Sequence, residues 1–218
     1  MNYPKGLRMK HPDRPFLVAI TGGIASGKSL VSKWFEDQQF SVFYADKIGH
    51  ALFKEQYFKA KIEDIIEKEV IINDSVDRTK LGEVIFNSAE KRKQLNELLH
   101  PDIRKRMQQI IDASSKEIII FEIPLLFENG LQKAFDIVIN IWTDEKTQLE
   151  RLMKRTNMTR DKSLKRIYSQ MLTSEKKKKA DINIENSTSL KLLEDKLNNI
   201  QLIINKRKFK KVVNLLEC

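Results

Sequence analysis

Three features of the 218-residue sequence predict an α/β fold with a five-stranded, mostly parallel sheet and helices on both faces. Short apolar, β-branched runs alternate with amphipathic stretches at helical spacing, the order expected of strand–helix–strand units. The first run leads straight into glycines and then a helix. A composition of 41% hydrophobic and 32% charged residues supplies enough apolar material for one core, with room for insertions.

Taken in order, Phe16 to Ile20 (FLVAI) has the continuous apolar character of a strand buried on both faces. Leu30, Val31, Trp34 and Phe35 form a one-sided stripe within Ser29 to Asp37, which predicts a helix. Phe40 to Tyr44 (FSVFY) then reads as a second strand. From Asp46 to Glu69 and from Asp74 to Ile111 the pattern is helical and mixed, a helical insertion in which His100-Pro101 is expected to end one helix and start another. Glu117 to Ile123 (EIIIFEI) and Phe135 to Trp142 (FDIVINIW) return to strand character on either side of a turn at Asn129-Gly130. Glu145 to Arg155 is a helix with a basic exit, Thr156 to Lys179 is polar and basic, Asp181 to Ile184 is a short last strand, and Leu190 to Ile204 is an amphipathic helix.

Several function classes drop out. The most apolar stretch, Ile118 to Phe127, is interrupted by Glu122 and Pro124, and no run reaches the roughly 18 apolar residues of a membrane span. Met1 to Pro15 lacks the apolar segment of a secretory signal, so a cytoplasmic location is expected. A single cysteine, Cys218, excludes an internal disulfide and a cysteine metal cluster. The net charge of +10 is unevenly placed: residues 1–145 carry 21 basic and 22 acidic residues, and 146–218 carry 19 and 8. Such a basic third suits a polyphosphate ligand, nucleic acid or a membrane surface, and charge alone does not choose among them.

Gly22 to Ser29 (GGIASGKS) fits G-x-x-x-x-G-K-[ST], with a strand ahead and a helix behind as that pattern requires. Gly22 and Gly27 permit backbone angles that turn N–H groups inward on phosphate oxygens, and Lys28 reaches the β- and γ-phosphates. Ser29 offers a hydroxyl to Mg²⁺, and the helix presents its positive end to the same anion.

Other side chains carry two readings each. Asp46, just past the second strand, is placed to take a proton from an attacking hydroxyl or to hold water on Mg²⁺; equally, it would cap the helix from Lys47. Glu122 ends its strand where an acid can bind Mg²⁺, or simply faces solvent. Arg151 and Arg155, four apart on one helix face, are suited to folding over phosphates or to surface ion pairs. Lys176 to Lys179 reads as a solvated hinge or lid edge, and Lys206 to Lys211 (KRKFKK) as a solvated basic tail, the best nucleic-acid candidate in the chain.

FLVAITGGIASGKSLVSKWFEDQQFSVFYADKIGHALF resembles the start of a bacterial dephospho-coenzyme A kinase. Asp77 to Pro101 (ending NELLHP), Ile123 to Leu131 (IPLLFENGL) and Gln148 to Asn186 (ending ADINIEN) resemble later stretches of that family in order, so that the likeness runs from about Phe16 to Ile204. It implies a P-loop kinase fold like that of the nucleoside-monophosphate kinases: a nucleotide-binding core (16–45, 115–150, 180–206), a helical acceptor-binding insertion (46–114) and a basic lid (151–179), with a polar leader (1–15) and basic tail (207–218). It also implies ATP and Mg²⁺, with Gly22, Gly23, Ile24, Ala25, Ser26, Gly27, Lys28, Ser29, Leu30, Arg151 and Arg155 on the nucleotide. Ser29 and Glu122 fall to the metal, Asp46 to the base beside Lys28 and Arg155, and Asp46, Arg78, His100, Leu125 and Glu128 to the acceptor; Arg104 to Arg106 are further phosphate candidates. The reaction implied is phosphorylation of the ribose 3′-hydroxyl of dephospho-coenzyme A by a monomer or small homo-oligomer without nucleic-acid or membrane partners. Two other readings stay open, a kinase of another nucleoside or nucleotide and a P-loop switch that binds nucleic acid through its basic third. Three positions depart from the family's usual pattern: Ala25 for Gly, Leu30 for Thr and Tyr44 for Asp.

Overall fold

The apolar run at Phe16 forms β1 (Phe16–Gly22), buried along its whole length at the centre of a five-stranded parallel sheet. A computed structural model describes residues 14–66, 70–73, 75–187, 189–206, 209–210 and 214–218. After α1 (Lys28–Asp37) and β2 (Ser41–Tyr44) come α2 (Ala45–Leu52), α3 (Gln56–Ile66), β3 (Ile71–Ile72), β4 (Ser75–Val76), α4 (Arg78–Asn87) and α5 (Ala89–Asp112). The chain then returns to the sheet through β5 (Ile118–Glu122) and β6 (Ile137–Trp142), and passes through α6 (Glu145–Thr156), α7 (Arg160–Tyr168) and α8 (Thr173–Lys179) to β7 (Ile182–Glu185) and α9 (Leu190–Lys206). The sheet order is β2-β5-β1-β6-β7, so the chain leaves β1 for one edge and later crosses to the other side, the switch at which open α/β sheets bind ligands beyond their carboxyl ends.

The period-two alternation of β1 divides the core. Phe16, Val18 and Ile20 face Val31 and Phe35 of α1 and Leu193, Leu197, Ile200 and Ile204 of α9. Leu17 and Ala19 face Met107 and Ile111 of α5 and Leu126, Phe127 and Leu131 in the stretch between β5 and β6. A third cluster, with Leu52, Phe58, Ile62, Leu81, Leu95 and Leu99 as members, gives the helical insertion a core of its own.

Two expectations are corrected here. His100-Pro101 does not divide a helix: α5 runs 24 residues with Pro101 inside it. A proline removes one backbone donor and crowds the preceding turn, but Leu95 and Leu99 anchor one half of α5 in the insertion core and Met107 and Ile111 anchor the other under the sheet. Packing at both ends outweighs the local penalty. Within the insertion, β3 and β4 pair antiparallel (Ile71↔Val76) where only helix was expected; Asn73 in the left-handed region (φ 49) is the turn residue that allows the reversal.

The tail packs closely where it is described. Phe209 meets Phe16 edge-on at 5.2 Å between ring centres. Buried Asp136 accepts from Arg14 at 2.6 and 2.8 Å and from the Lys210 N–H at 2.8 Å, and Leu215 is buried. The solvated tail expected at Lys206 to Lys211 is therefore a docked segment at Lys210, whose ammonium pairs with Asp181; residues 207–208 and 211–213, like leader residues 1–13, lie outside the described residues.

Candidate active site

Between β1 and α1 the chain must turn with its N–H groups inward, and the two motif glycines have no substitute there. Gly22 (φ 152) lies against the Ile141 carbonyl of the neighbouring strand, and Gly27 (φ 93) lies against the Asn186 amide; a Cβ at either would overlap its neighbour. The Asn186 side chain donates to the Ser26 carbonyl at 2.9 Å, so the end of β7 supports the loop from behind. Ile24 is held on both backbone groups: its N–H donates to Gln170 Oε1 at 2.8 Å, and its carbonyl accepts from Gln148 Nε2 at 2.7 Å. Gly27 is the N-cap of α1 without a side-chain cap, which leaves the helix's positive end to a ligand.

Lys28 is nearly buried and its ammonium folds back on the Gly22 and Gly23 carbonyls at 3.0 and 2.9 Å. Burial lowers its pKa from 10.5 to about 8; Lys176 and Arg155 push the same way, and Glu122 and Asp46 oppose. Those four groups, from α8, α6, β5 and α2, converge on the phosphate loop.

Ser29 Oγ donates to Glu122 Oε1 at 3.2 Å, and Glu122 Oε2 is buried with no partner. A carboxylate oxygen left bare in the interior, beside a hydroxyl at the phosphate loop, is the donor set that a hydrated Mg²⁺ shared with phosphates requires. Among the described residues no group of three or more His, Cys, Asp or Glu could hold a metal without such help. Arg151 and Arg155 line a cavity of about 180 Å³ with Ala25, Gly27, Lys28, Ser29 and Leu30, so the lid arginines expected from sequence do face the phosphate loop. Ala25 adopts φ 57, a left-handed conformation that explains why glycine suits this position. Leu30 presents an exposed apolar side chain at the mouth of the cavity.

Asp46 lies exposed in the first turn of α2, and Tyr44, not Asp46, is the N-cap. The capping reading of Asp46 is thereby corrected; Tyr44 makes no side-chain cap and instead donates its hydroxyl to Glu36 at 3.0 Å. Desolvation, with help from Glu36 and Glu122, holds the Tyr44 hydroxyl protonated up to about 12. Asp46 acts electrostatically on both Lys28 and His50, and His50 lines a basic cavity of about 520 Å³. Lys47, His50, Lys54, Lys59 and Arg78 line that cavity. Arg78 Nη1 lies 3.0 Å from His50 Nδ1. A guanidinium only donates, so Nδ1 accepts and the ring proton sits on Nε2. Burial and Arg78 both lower the His50 pKa.

The remaining sequence candidates divide. Arg78 also lines a second cleft, between α4 and Asn157 and Thr159, which precede α7, with Arg166 inside that helix. His100 and Arg104 line a separate cavity along the outside of α5, where burial and then Arg104 lower the histidine pKa. Arg106 pairs with Glu55 at 2.7 Å. Leu125 is half-buried in the loop after β5. Glu128, expected on the acceptor, instead accepts from the Met171 N–H at 2.9 Å and from Lys176 at 2.8 Å. Lys176 corrects the reading of the lysine run as solvated: its side chain is 1% exposed. Sequence reasoning thus missed His50, Gln148, Gln170, Lys176 and Asn186; His50 and Asn186 stood inside the quoted ADKIGH and ADINIEN segments, where only the whole segment signalled importance.

A phosphate loop at the sheet's switch point, two α6 arginines facing it and a helical insertion with its own basic cavity define a P-loop kinase. The Dephospho-CoA kinase family model matches residues 16–191, and the chain belongs to that family. A dephospho-CoA kinase of Bacillus licheniformis is 41% identical over 190 residues, covering 84% of this chain and 94% of its own. One from Fusobacterium nucleatum is 35% identical, with coverages of 80% and 91%. Among solved structures, the dephospho-CoA kinase of Campylobacter jejuni superposes with a TM-score of 0.65 at 31% identity, covering 87% of this chain and 97% of its own. A shikimate kinase of Acinetobacter baumannii (TM-score 0.52, 15% identity, coverages 90% and 96%) shares the fold.

Proposed function

We propose that this chain transfers the γ-phosphoryl group of ATP to the ribose 3′-hydroxyl of dephospho-coenzyme A, giving coenzyme A and ADP. The observation that carries the reading is the cavity at the phosphate loop, where Arg151 and Arg155 face Gly27, Lys28 and Ser29 and where Ser29 Oγ donates to Glu122, whose second oxygen is buried and bare. Gly22 to Ser29 cradle the polyphosphate, and Lys28 releases the loop carbonyls to neutralise the β- and γ-phosphate oxygens. Ser29 and the bare oxygen of Glu122 would hold Mg²⁺, which when bound neutralises charge on the phosphates and aligns them. Arg151 and Arg155 close over the cavity and stabilise charge on the transferring group. The basic cavity of Lys47, Lys54, Lys59 and Arg78 suits the acceptor's diphosphate, with His50 fixed by Arg78 as an Nε2–H donor. Asp46, which acts on both Lys28 and His50, accepts the hydroxyl proton as the new P–O bond forms and the bond to the β-phosphate oxygen breaks.

Because the transition state is loose, positioning and charge neutralisation carry most of the rate. The switch reading is not favoured: Lys176 and Lys210, two charges of the basic third, are engaged in ion pairs within the fold. The remaining excess sits on a lid, where it serves a polyphosphate. No helix among the described residues is long and apolar enough to cross a membrane. The test is ADP formation from MgATP with dephospho-coenzyme A set against a panel of nucleosides and nucleoside monophosphates. Turnover confined to dephospho-coenzyme A is expected; preferential turnover of another acceptor would keep the site and discard the substrate.

A further inference from the structure

The C-terminal end of the lid is fastened to the two loops that flank the reacting phosphates, by three groups within seven residues. Gln170 gives its side-chain oxygen to the Ile24 N–H of the phosphate loop at 2.8 Å. The next residue, Met171, donates its N–H to Glu128 Oε1 at 2.9 Å. Lys176, one turn into α8, donates to the same Glu128 oxygen at 2.8 Å and reaches toward the Pro124 carbonyl at 3.5 Å. Pro124 belongs to the loop that leaves β5 directly after Glu122, and its carbonyl also accepts from Thr21 at the end of β1 at 3.3 Å.

Two features separate Lys176 from an ordinary surface lysine. It is 1% exposed while its neighbours Lys178 and Lys179 are exposed, so α8 turns this one ammonium inward and buries no other residue. Burying an ammonium is costly without a partner, and this one lies close enough to Lys28 to oppose that group's charge. A purely structural anchor in this place would be satisfied by an apolar side chain. An ammonium is needed if the anchor must grip an oxygen of fixed position, and Glu128 Oε1 is that oxygen.

We propose that Lys176, acting through Glu128 and alongside Gln170, is a positioning residue for phosphoryl transfer that holds the returning end of the lid in register with the phosphate loop. The inference rests on the kinase reading above. At its other end the lid is tied through α6, whose Arg151 and Arg155 face the phosphate cavity. With the returning end released, these arginines lose their alignment and water gains access, and a misplacement of about 1 Å costs on the order of 10²-fold in rate.

The experiment compares wild type, Lys176→Met, Lys176→Arg and Gln170→Ala, with MgATP and dephospho-coenzyme A. Wild-type turnover establishes the kinase reading by itself; its absence would sink that reading and not the fastening. For Lys176→Met the expected result is a kcat lowered about tenfold or more with the KM for ATP within about twofold, and recovery to within about threefold in Lys176→Arg. A smaller fall in Lys176→Met, or a loss that arginine does not restore, would overturn the proposal. Should Lys176→Met fail to fold, Gln170→Ala decides: the ratio of ATP hydrolysed without acceptor to phosphoryl transferred is expected to rise, and an unchanged ratio would overturn the proposal. Hydrogen exchange over residues 157–171, measured without nucleotide, is expected to quicken in either variant while β1 and β6 stay protected.

Discussion

Ser29 Oγ donates to Glu122 Oε1 at 3.2 Å across 93 residues of sequence, while the second oxygen of that carboxylate stays buried and unpartnered. Leaving a carboxylate oxygen bare costs stability, so the arrangement makes sense as a site prepared for a cation. In Glu122→Gln the Ser29 hydrogen bond can persist but the charge is gone. The expected outcome is a kcat lowered about 10- to 100-fold, a higher Mg²⁺ concentration for half-maximal rate, and a melting temperature no lower than wild type. An unchanged Mg²⁺ requirement, read from initial rates across a Mg²⁺ titration, would remove Glu122 from the metal site.

Lys28 supplies the pH dependence. Its folded pKa of about 8, against an ordinary 10.5, means that the unfolded chain holds the proton more tightly. Below about pH 8 both states are protonated and the burial penalty, about 3 kcal/mol, is present in full. As pH rises from 8 to 10.5 the penalty fades, so the nucleotide-free protein gains stability from this group across that window. ATP binding runs the other way, because a neutral amine does not hold phosphate. Urea unfolding should therefore show wild type gaining on Lys28→Met between pH 8 and 10.5, while the wild-type KM for ATP climbs over the same range. Lys28→Met should lose about 10²-fold or more in transfer rate while staying folded.

Asp46 is exposed and outside the capping position, so its removal should leave the fold intact. Asp46→Asn is expected to lower kcat about 10²-fold with ATP affinity unchanged. Equilibrium binding of ATP and steady-state kinetics on the same preparation separate the two quantities. A wild-type kcat would assign proton acceptance elsewhere.

Ala25 at φ 57 places an L-residue where the β-carbon crowds the following carbonyl, at roughly 1 to 2 kcal/mol. Glycine relieves that strain and gives part of the gain back through a more flexible unfolded chain. Ala25→Gly should raise the melting temperature by about 2–4 °C, as roughly 1 kcal/mol does in a chain of this size. A lower melting temperature would show that Ala25 makes compensating contacts.

The strands, the phosphate loop and its flanks were legible because each is written in local periodicity: a continuous apolar run for a strand buried on both faces, and glycines where the backbone needs left-handed angles. Arg151 and Arg155, whose four-residue spacing left a surface ion-pair face equally open, were singled out by the family resemblance, and they line the cavity at the phosphate loop. What escaped depends on distant partners. Gln170 meets Ile24 across 146 residues and Asn186 meets Ser26 across 160, and neither has a local pattern to betray it. Lys176 was hidden by its likeness to the three lysines that follow, since which of four equal charges turns inward is decided by where α8 docks. Pro101 misled because the rule that proline ends a helix is local, whereas α5 is held by two separate cores. The hairpin of β3 and β4 was announced only by Asn-Asp between Ile71-Ile72 and Ser75-Val76, a signal too short to stand against helical surroundings.

The most direct test of the account is the position of the transferred phosphate: incubate the protein with MgATP and dephospho-coenzyme A, and locate the new phosphate by fragmentation mass spectrometry. Phosphate on the ribose 3′-oxygen, with one ADP formed per phosphate transferred, is the expected result. Phosphate elsewhere on the acceptor, or ADP formed with no phosphorylated acceptor, would contradict the assignment of Asp46 as the seat of transfer.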